Sequence, residues 1–197
     1  MQESIRKKIL EAAMQIVPFD GWSYSLLQDI TSSLNIPNGA AAIIFPGGLY
    51  ELFEYYIQDI DSKMIEKYRA ATHDNLKAHQ RIRLCIISRL EILNQHKTLL
   101  QKSLAFLAMP TNCVFSTKIL WNTVDLIWHE AGQDKSTDFN YYTKRMLLGA
   151  VYSSTLLYFS TDESENFQDT IDFLDRRLND VYKISQAKEN IKNFFNL

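Results

Sequence analysis

The chain has 197 residues, of which 46% are hydrophobic and 22% are charged, and it contains only 6 glycines and 4 prolines. This length allows a substantial buried core, and so few chain-breaking residues favour long helices over a sheet-rich or disordered chain. The formal net charge is −2, and the longest apolar run, residues 146–159, is interrupted by hydroxyl side chains. Because that run is shorter than the roughly 20 residues of a membrane span, we predict a core helix there.

Neither the amino terminus nor the cysteines indicates export. Glu3 comes early and no uninterrupted apolar stretch follows, so the sequence predicts neither a signal peptide nor an organellar presequence. Cys85 and Cys113 are far apart in the sequence and near no other thiol, which is typical of reduced packing residues. We therefore expect a cytoplasmic protein without a disulfide framework or a zinc site.

The first elements have a helix-turn-helix pattern. Apolar residues recur at helical spacing up to Pro18, which predicts the end of the first helix. Ser25 and Gln28 have the spacing of a capping box at the start of a second helix, and residues 35–39 form a turn. A short third helix is predicted over residues 40–45, where a Tet repressor-like protein places the helix that reads the major groove.

The charge of this helix-turn-helix module argues against DNA binding. Residues 9–62 contain seven carboxylates and no Lys, Arg or His. Proteins that hold DNA neutralise its phosphates with Lys and Arg, and read base edges with bidentate polar side chains. The third helix, Ala-Ala-Ala-Ile-Ile-Phe, has neither kind of side chain. We predict a packing module and no nucleic-acid partner.

The segments that follow the helix-turn-helix module are predicted to be helical, and their net charge is positive where that of the module is negative. Helices are predicted over residues 49–71, 82–93 and 99–109, the last of them ending at Pro110. Residues 63–102 carry nine cations and three acids, a balance of plus six. Two interpretations are open: a solvated helix face that offsets the acidic module, or a surface that attracts anionic headgroups or an acidic partner.

The most distinctive chemistry lies between Trp121 and Phe159. Gly132 is predicted to end one helix, and one of residues 136–138 to cap the next, so a polar hairpin joins two apolar helices. The many aromatic residues around it form either ordinary core or the wall of an apolar pocket between helices. They are Trp121, Trp128, Phe139, Tyr141, Tyr142, Tyr152, Tyr158 and Phe159.

An acid–base or metal site is the weaker interpretation of this segment. Asp125 and His129 are four residues apart and share a helical face, with Asp134 and Asp138 close in sequence. One His with scattered carboxylates lacks the repeated Glu-x-x-His pattern of di-iron bundles, and no phosphate loop, nucleophile elbow or Cys/His ligand set occurs. We predict no catalytic residue, no metal and no cofactor.

Several blocks of this sequence resemble the coenzyme Q biosynthesis accessory family known as protein nine. The hairpin carries Trp-His-Glu-Ala-Gly at 128–132, Ser-Thr-Asp-Phe-Asn-Tyr-Tyr-Thr-Lys-Arg at 136–145 and Leu-Gly-Ala-Val-Tyr at 148–152. Further blocks are Leu-Ala-Met-Pro-Thr-Asn at 107–112 and Phe-Leu-Asp-Arg-Arg-Leu-Asn at 173–179. The resemblance covers most of the chain, and its hairpin motif is the most specific part.

The resemblance implies an all-α, Tet repressor-like bundle of about ten helices that forms a homodimer and does not regulate transcription. Members of that family bind isoprenoid quinone precursors or phospholipid in an apolar pocket, and assist the di-iron demethoxyubiquinone hydroxylase. The residues that correspond to the hydroxylase contact are Ile127, Trp128, Tyr141 and Tyr142. The chain departs from the family twice, since Tyr141 stands where a Trp is common and residues 133–135 make the turn one residue longer.

The end of the chain has the pattern of an interfacial helix. Apolar residues share one helical face, with Lys188, Glu189, Lys192 and Asn193 opposite. Two interpretations of this apolar face are open. It is buried in a membrane surface, or it docks on the protein's own domain or on a dimer mate. The apolar residues are Ile184, Ala187, Ile191, Phe194 and Phe195.

Taken together, the sequence predicts a non-catalytic lipid-binding accessory protein of ubiquinone biosynthesis that meets the membrane peripherally. We divide it into a helix-turn-helix module (1–72), a lipid-binding and dimerisation core (73–183) and an amphipathic helix (184–197). The alternative function is a ligand-responsive transcriptional repressor of the same fold. The predicted lipid-binding residues are Phe106, Leu107, Met109, Trp121, Leu148, Tyr152 and Leu156.

Overall fold

The chain folds into α-helices joined by short turns, in agreement with the all-α prediction. The computed structural model describes residues 2–37, 39–71, 75–132 and 139–195, without the side chains of 139–140 and 184–195. Within those residues there are nine α-helices, and they contain no strand. The helices are α1 (Gln2–Asp20), α2 (Leu26–Ser33), α3 (Ala40–Ile44), α4 (Gly48–Ala70), α5 (Ala78–Asn94), α6 (Lys97–Leu107), α7 (Cys113–Ile127), α8 (Phe139–Thr161) and α9 (Gln168–Phe195).

The predicted helix boundaries hold to within a few residues, but the predicted capping box is wrong. α1 continues for two residues beyond Pro18 and ends at Asp20, and the next residue, Gly21, has a φ of +75°, a left-handed conformation that suits glycine. Ser25 precedes α2 with helical dihedrals (φ −78°, ψ −19°), and its side chain makes no cap hydrogen bond. Its hydroxyl lies 3.2 Å from that of Ser23 instead.

The nine α-helices of the described residues agree with the predicted bundle of about ten, and the last of them, α9, is continuous. The sequence-based division treated residues 184–197 as a separate amphipathic helix, whereas α9 runs unbroken from Gln168 to Phe195. No Gly or Pro interrupts that stretch, so nothing in it forces the helix to end. The amphipathic pattern therefore lies on the last turns of α9, whose side chains are outside the described part of the chain.

The helices group into two compact units. The first contains residues 1–63 and 92–119, and the second contains residues 64–91 and 120–197. The first unit has an aromatic core in which Trp22, Phe53 and Phe106 pack with ring centroids 4.7 to 6.4 Å apart. The Trp22 indole N–H donates to Ser103 Oγ at 3.0 Å, so its polar atom is satisfied inside that core.

The second unit is organised around the packing of α8 against α9. Asp162, at the junction between them, is buried and accepts hydrogen bonds from the backbone N–H of Ser164 at 2.8 Å and of Thr170 at 2.9 Å. Ser164 Oγ accepts from Asp169 N at 3.1 Å. Two side chains of the connection thus satisfy N–H groups that the first turn of α9 would leave unpaired.

Most cations of the basic segment are engaged in contacts within the fold. Lys67 pairs with Glu91 at 2.8 Å and Lys63 with Asp59 at 2.6 Å. Arg81 donates to two backbone carbonyls, at 2.8 and 2.9 Å. These contacts favour the interpretation of the segment as a structural helix face.

The two cysteines differ in environment. Cys85 is buried, as a packing residue should be, and it is not in a disulfide. Cys113 is exposed at the start of α7, so its prediction as a packing residue is wrong. Proximity to Pro110 explains the difference, because the chain turns there at the surface before α7 begins.

Within the described residues no single helix has both the length and the apolar composition of a membrane span. One pair bent by 83°, Lys97–Leu107 with Pro110–Gly132, meets that test jointly.

Candidate functional site

A π-helical turn, Trp128–Gly132, follows α7 and positions the most distinctive tryptophan of the chain. Arg81 Nε donates to the carbonyl of Ala131 at 2.9 Å, and the Arg69 guanidinium makes a bidentate pair with Glu130 at 2.8 to 3.0 Å. A Cβ on Gly132 would lie 3.0 Å from the indole of Trp128. The Gly of the Trp-His-Glu-Ala-Gly motif therefore lets the backbone pass directly against that ring. π-Helical turns of this kind are frequent at functional sites.

The turn forms one wall of an apolar cavity in the second unit. The cavity has a volume of about 250 Å³ and lies among α5, α8, α9 and the Trp128 turn. Lys144 is its one fully charged side chain, with Nζ 5.8 Å from the centre of a Trp128 ring. The lining is formed by Ala78, His79, Ile82, Trp128, Lys144, Leu147, Leu148, Val151, Leu178, Val181 and Tyr182.

Of the predicted lipid-binding residues in the second unit, the structure places Leu148 in the cavity wall. Tyr152 follows one turn later on α8 and is buried, but its hydroxyl accepts a hydrogen bond from Arg89 Nε at 2.6 Å. Leu156 is half-buried on the same helix. Trp121, also half-buried, stacks on Tyr142 with ring centroids 6.1 Å apart. These three residues do not line the cavity.

The other three predicted lipid-binding residues lie in the first unit. Phe106 is buried in the aromatic core, where it packs on Trp22 and Phe53. Leu107 is half-buried, and Met109 has 49% of its surface exposed. None of the three lines the cavity, which is built entirely from the second unit.

Sequence reasoning missed the contributions of α5 and α9 to the cavity. Ala78, His79 and Ile82 enter from α5, and Val181 and Tyr182 enter from α9. The apolar spacing of α5 predicts that Ile82 points inward. It does not predict which helix Ile82 packs against. α5 is distant in sequence from the hairpin, so its packing partner is a property of the tertiary structure.

The residues predicted to contact the hydroxylase differ in accessibility. Tyr142 has 58% of its surface exposed, Tyr141 and Trp128 are partly exposed, and Ile127 is fully buried. Ile127 therefore presents no surface to a partner in this structure. Arg145 lies over the Tyr141 ring with its guanidinium carbon 3.3 Å from the ring centre.

Asp125 connects these groups. It accepts hydrogen bonds from Arg145 Nε at 2.5 Å and from the Tyr141 hydroxyl at 3.0 Å. Burial opposes the charge of Asp125, but the hydrogen bonds from Arg145 and Tyr141 outweigh it and lower the pKa of this carboxyl. The Asp125 hydrogen bond in turn raises the pKa of Tyr141. Asp125 is thus an ionised structural group that holds the hairpin helices together.

Comparison with known proteins identifies the family. The sequence profile of COQ9 matches residues 114–185, which include the Trp128 turn, α8 and the α9 part of the cavity. The chain is 30% identical to the ubiquinone biosynthesis protein COQ9-B of Xenopus laevis, over 96% of this chain and 67% of that protein. The chain belongs to the COQ9 family. It is also 30% identical to the COQ9 proteins of Rattus norvegicus and Homo sapiens, over 97% of this chain.

The COQ9 relatives are longer than this chain and are named as mitochondrial proteins. The chain spans 63% of the rat protein and 62% of the human one. A solved TetR transcriptional regulator from Nitrosomonas europaea has the same fold, with a TM-score of 0.70 over 89% of this chain and 97% of that one. Its 22% identity makes this a likeness of fold. The predicted Tet repressor-like architecture is thereby confirmed.

Asp125 and His129 have separate partners in the structure, and Asp134 and Asp138 of the possible acid–base site lie outside the described residues. Asp125 is engaged by Arg145 and Tyr141, as described above. His129 is 78% exposed, with Nδ1 3.5 Å from Glu130 Oε1. Among the described residues no group of three or more His, Cys, Asp or Glu side chains is arranged to hold a metal ion.

The helix that would read DNA in a repressor is apolar here. α3 exposes 73% of Ile43 and buries Ile44. Arg6, just before the cation-free segment, pairs with Glu51 at 2.9 Å and lies over the ring of Phe45 at 4.4 Å. Its charge is thus directed into the fold of the module.

Proposed function

We propose that this COQ9-family chain is a non-catalytic lipid-binding accessory protein of ubiquinone biosynthesis, which presents an isoprenoid quinone precursor to the di-iron demethoxyubiquinone hydroxylase at the membrane. The observation that supports the proposal most is the apolar cavity of about 250 Å³, eight of whose eleven lining residues lie in the segment that matches COQ9. The relatives are named as ubiquinone biosynthesis proteins, which supports the same pathway here.

The cavity is sized for part of a lipid. Pockets that enclose a whole drug-sized ligand have volumes of roughly 300 to 1,000 Å³, so this one suits one end of a long-chain molecule. Each methylene removed from water contributes about 0.8 kcal/mol of favourable transfer free energy. Burying a few methylenes in the cavity therefore offsets the cost of lifting the molecule partly out of a bilayer. Such a protein lowers the barrier to bringing a quinone precursor to a water-accessible active site.

The aromatic patch beside the cavity supports a protein partner. Tyr142 is exposed, and Trp121 stacks on it from α7. Exposed aromatic anchors dominate many protein interfaces. The Asp125–Arg145 pair fixes Tyr141 before binding, which reduces the conformational entropy lost when a partner docks. This patch is the proposed contact with the hydroxylase.

The outer face of α8 supports the homodimer. Residues 146–161 contain no charged side chain, and Met146 and Leu157 expose 69% and 60% of their surfaces. An uncharged apolar face is self-complementary, as a two-fold interface requires. The end of α9 supports peripheral membrane contact through Ile184, Ile191, Phe194 and Phe195, whose side chains are outside the described part of the chain.

The lipid-binding role is tested by mass spectrometry of organic extracts from the purified protein. Leu147→Trp adds bulk to the cavity wall, and Leu157→Trp adds the same side chain to the same helix at an exposed position. We expect stoichiometric lipid in the wild-type protein and in Leu157→Trp, and a loss of most of it in Leu147→Trp. A thermal melt of each variant establishes that the fold persists.

The identity of the lipid distinguishes the parts of the proposal. An isoprenoid quinone or a precursor in the extract would support presentation to the hydroxylase. Phospholipid alone would contradict a quinone precursor as the bound lipid, but it would still support a lipid-binding pocket. Equal lipid content in the two Trp variants would mean that the cavity is not the binding site. A protein free of lipid that still binds the hydroxylase would be a scaffold.

A further inference from the structure

A second chamber adjoins the apolar cavity and has the opposite chemistry. It has a volume of about 390 Å³ and lies between the start of α5 and the middle of α9. Three residues, His79, Leu178 and Tyr182, line both chambers, so the two share one wall. The rings of His79 and Tyr182 lie 6.2 Å apart in this wall. A molecule with an apolar end and a polar end matches the pair of chambers.

The polar chamber carries a positive charge. It contains the side chains of Lys77 and Arg83 and one carboxylate, Asp175, with His79 and Asn179 beside them. Lys and Arg contribute two positive charges and Asp one negative charge, which leaves a balance of plus one at neutral pH.

The donors of this chamber are only partly used. Arg83 forms a bidentate pair with Asp175, Nε to Oδ1 at 2.5 Å and Nη2 to Oδ2 at 3.0 Å. That geometry holds the guanidinium in place and leaves Nη1 without a hydrogen bond among the described residues. Lys77 is exposed, and its ammonium forms no ion pair in the part of the chain that the structure describes.

We infer that the polar chamber binds the anionic head group, a carboxylate or a phosphate, of an amphiphile whose tail enters the apolar cavity. The inference rests on the lipid-binding part of the proposed function and not on its cargo, because a quinone head is neutral and an anionic amphiphile is a separate class of ligand. Lys77 supplies a mobile point charge, and Arg83 supplies a fixed donor that is directed by Asp175. The Asn179 amide adds a neutral donor to the same chamber.

Asp175 lowers the affinity of the polar chamber for anions, so that a bound head group can dissociate again. It neutralises one of the two cations, and its own charge repels an incoming anion. With 44% of its side chain and 38% of that of Arg83 exposed, solvent screens this pair and limits its strength. Removing the Asp175 charge should therefore tighten anion binding, whereas removing the Lys77 charge should weaken it.

The test is isothermal titration calorimetry of the full chain with three probes below their micellar concentrations. Decyl phosphate has both the tail and the anionic head, decanol has the same tail with a neutral head, and inorganic phosphate has the head alone. The variants are Lys77→Gln and Asp175→Asn. Arg176→Gln, an exposed charge next to Asp175 that lines neither chamber, is the matched control.

We expect decyl phosphate to bind more tightly than decanol or inorganic phosphate. Lys77→Gln should weaken decyl phosphate binding about threefold, and Asp175→Asn should tighten it by about the same factor, as for partly exposed charges. Neither variant should change the affinity for decanol, and Arg176→Gln should change none of the three.

Three other results would overturn the inference. If decyl phosphate and decanol bind equally well and Lys77→Gln changes neither affinity, the protein has a lipid pocket that does not recognise the head group. Inorganic phosphate binding as tightly as decyl phosphate would show a site for free anions. If no probe binds, the proposed lipid-binding function fails as well.

Discussion

The carboxylate of Asp162 provides the sharpest test of how the second unit is held together. It is buried between α8 and α9 and accepts hydrogen bonds from Ser164 N, Thr170 N and the Thr170 hydroxyl. Burial alone would raise the pKa of Asp162, but these hydrogen bonds outweigh burial and lower it from 3.8 to about 2. The charged carboxylate is therefore more favourable in the folded chain than in the unfolded one.

The magnitude follows from linkage. A difference of nearly two pKa units corresponds to roughly 2.5 kcal/mol, which we reduce to about 1 to 2 kcal/mol for solvent screening near the end of a helix. Because the folded pKa is the lower one, this contribution is present above pH 3.8 and is lost as the pH falls towards 2.

The perturbation is Asp162→Asn, which keeps the shape and one acceptor oxygen but removes the charge. We expect the free energy of unfolding to fall by about 1 to 2 kcal/mol near pH 6, measured by urea denaturation followed by circular dichroism. The difference between wild type and variant should shrink below about pH 4, because the Asp162 carboxyl is then protonated in the unfolded chain while it is still ionised in the folded one.

The control is Asp172→Asn, which removes an exposed carboxylate from α9, the helix whose first turn Asp162 caps. We expect it to change the free energy of unfolding by less than about 0.5 kcal/mol. If Asp162→Asn were as mild as the control, or if its effect were the same at pH 6 and pH 3, the charged cap would not be the cause.

Three further predictions concern the hairpin and the cavity. Arg145→Met should lower the free energy of unfolding by about 2 kcal/mol by removing the bond to Asp125, and a double-mutant cycle with Asp125→Ala should give a coupling above about 0.5 kcal/mol. Gly132→Ala should displace the Trp128 ring, shift its fluorescence and reduce bound lipid; an unchanged spectrum would contradict the close contact. Tyr142→Ala should weaken hydroxylase binding in calorimetry at least about tenfold without changing the thermal melt, and equal affinity would remove Tyr142 from the interface.

The helices of this protein are readable from local sequence. Apolar spacing located α4 and α5, and Pro110 marked the end of α6 to within a few residues. The helix-turn-helix segment was recognisable by the same means, and its lack of cations can be read directly from the sequence. The capping box failed because Ser25 adopts a helical backbone, which spacing does not report.

The candidate site was only partly predictable. Leu148, which is predicted to bind lipid, lines the cavity, and so does Trp128, which is predicted to contact the hydroxylase. Phe106, also predicted to bind lipid, packs in the core of the first unit instead. An apolar side chain has the same pattern whether it fills a core or lines a cavity, because both lie on the inner face of a helix.

The sequence alone determined the all-α class, the COQ9 likeness and the absence of cations from residues 9–62, because composition, periodicity and motif order are local properties of the chain. Only the tertiary structure decided which surfaces meet. It paired Asp125 with Arg145, placed His79 of α5 beside Tyr182 of α9, and left space between these helices for a ligand. Such contacts join residues far apart in the chain, and they depend on how several helices pack at once.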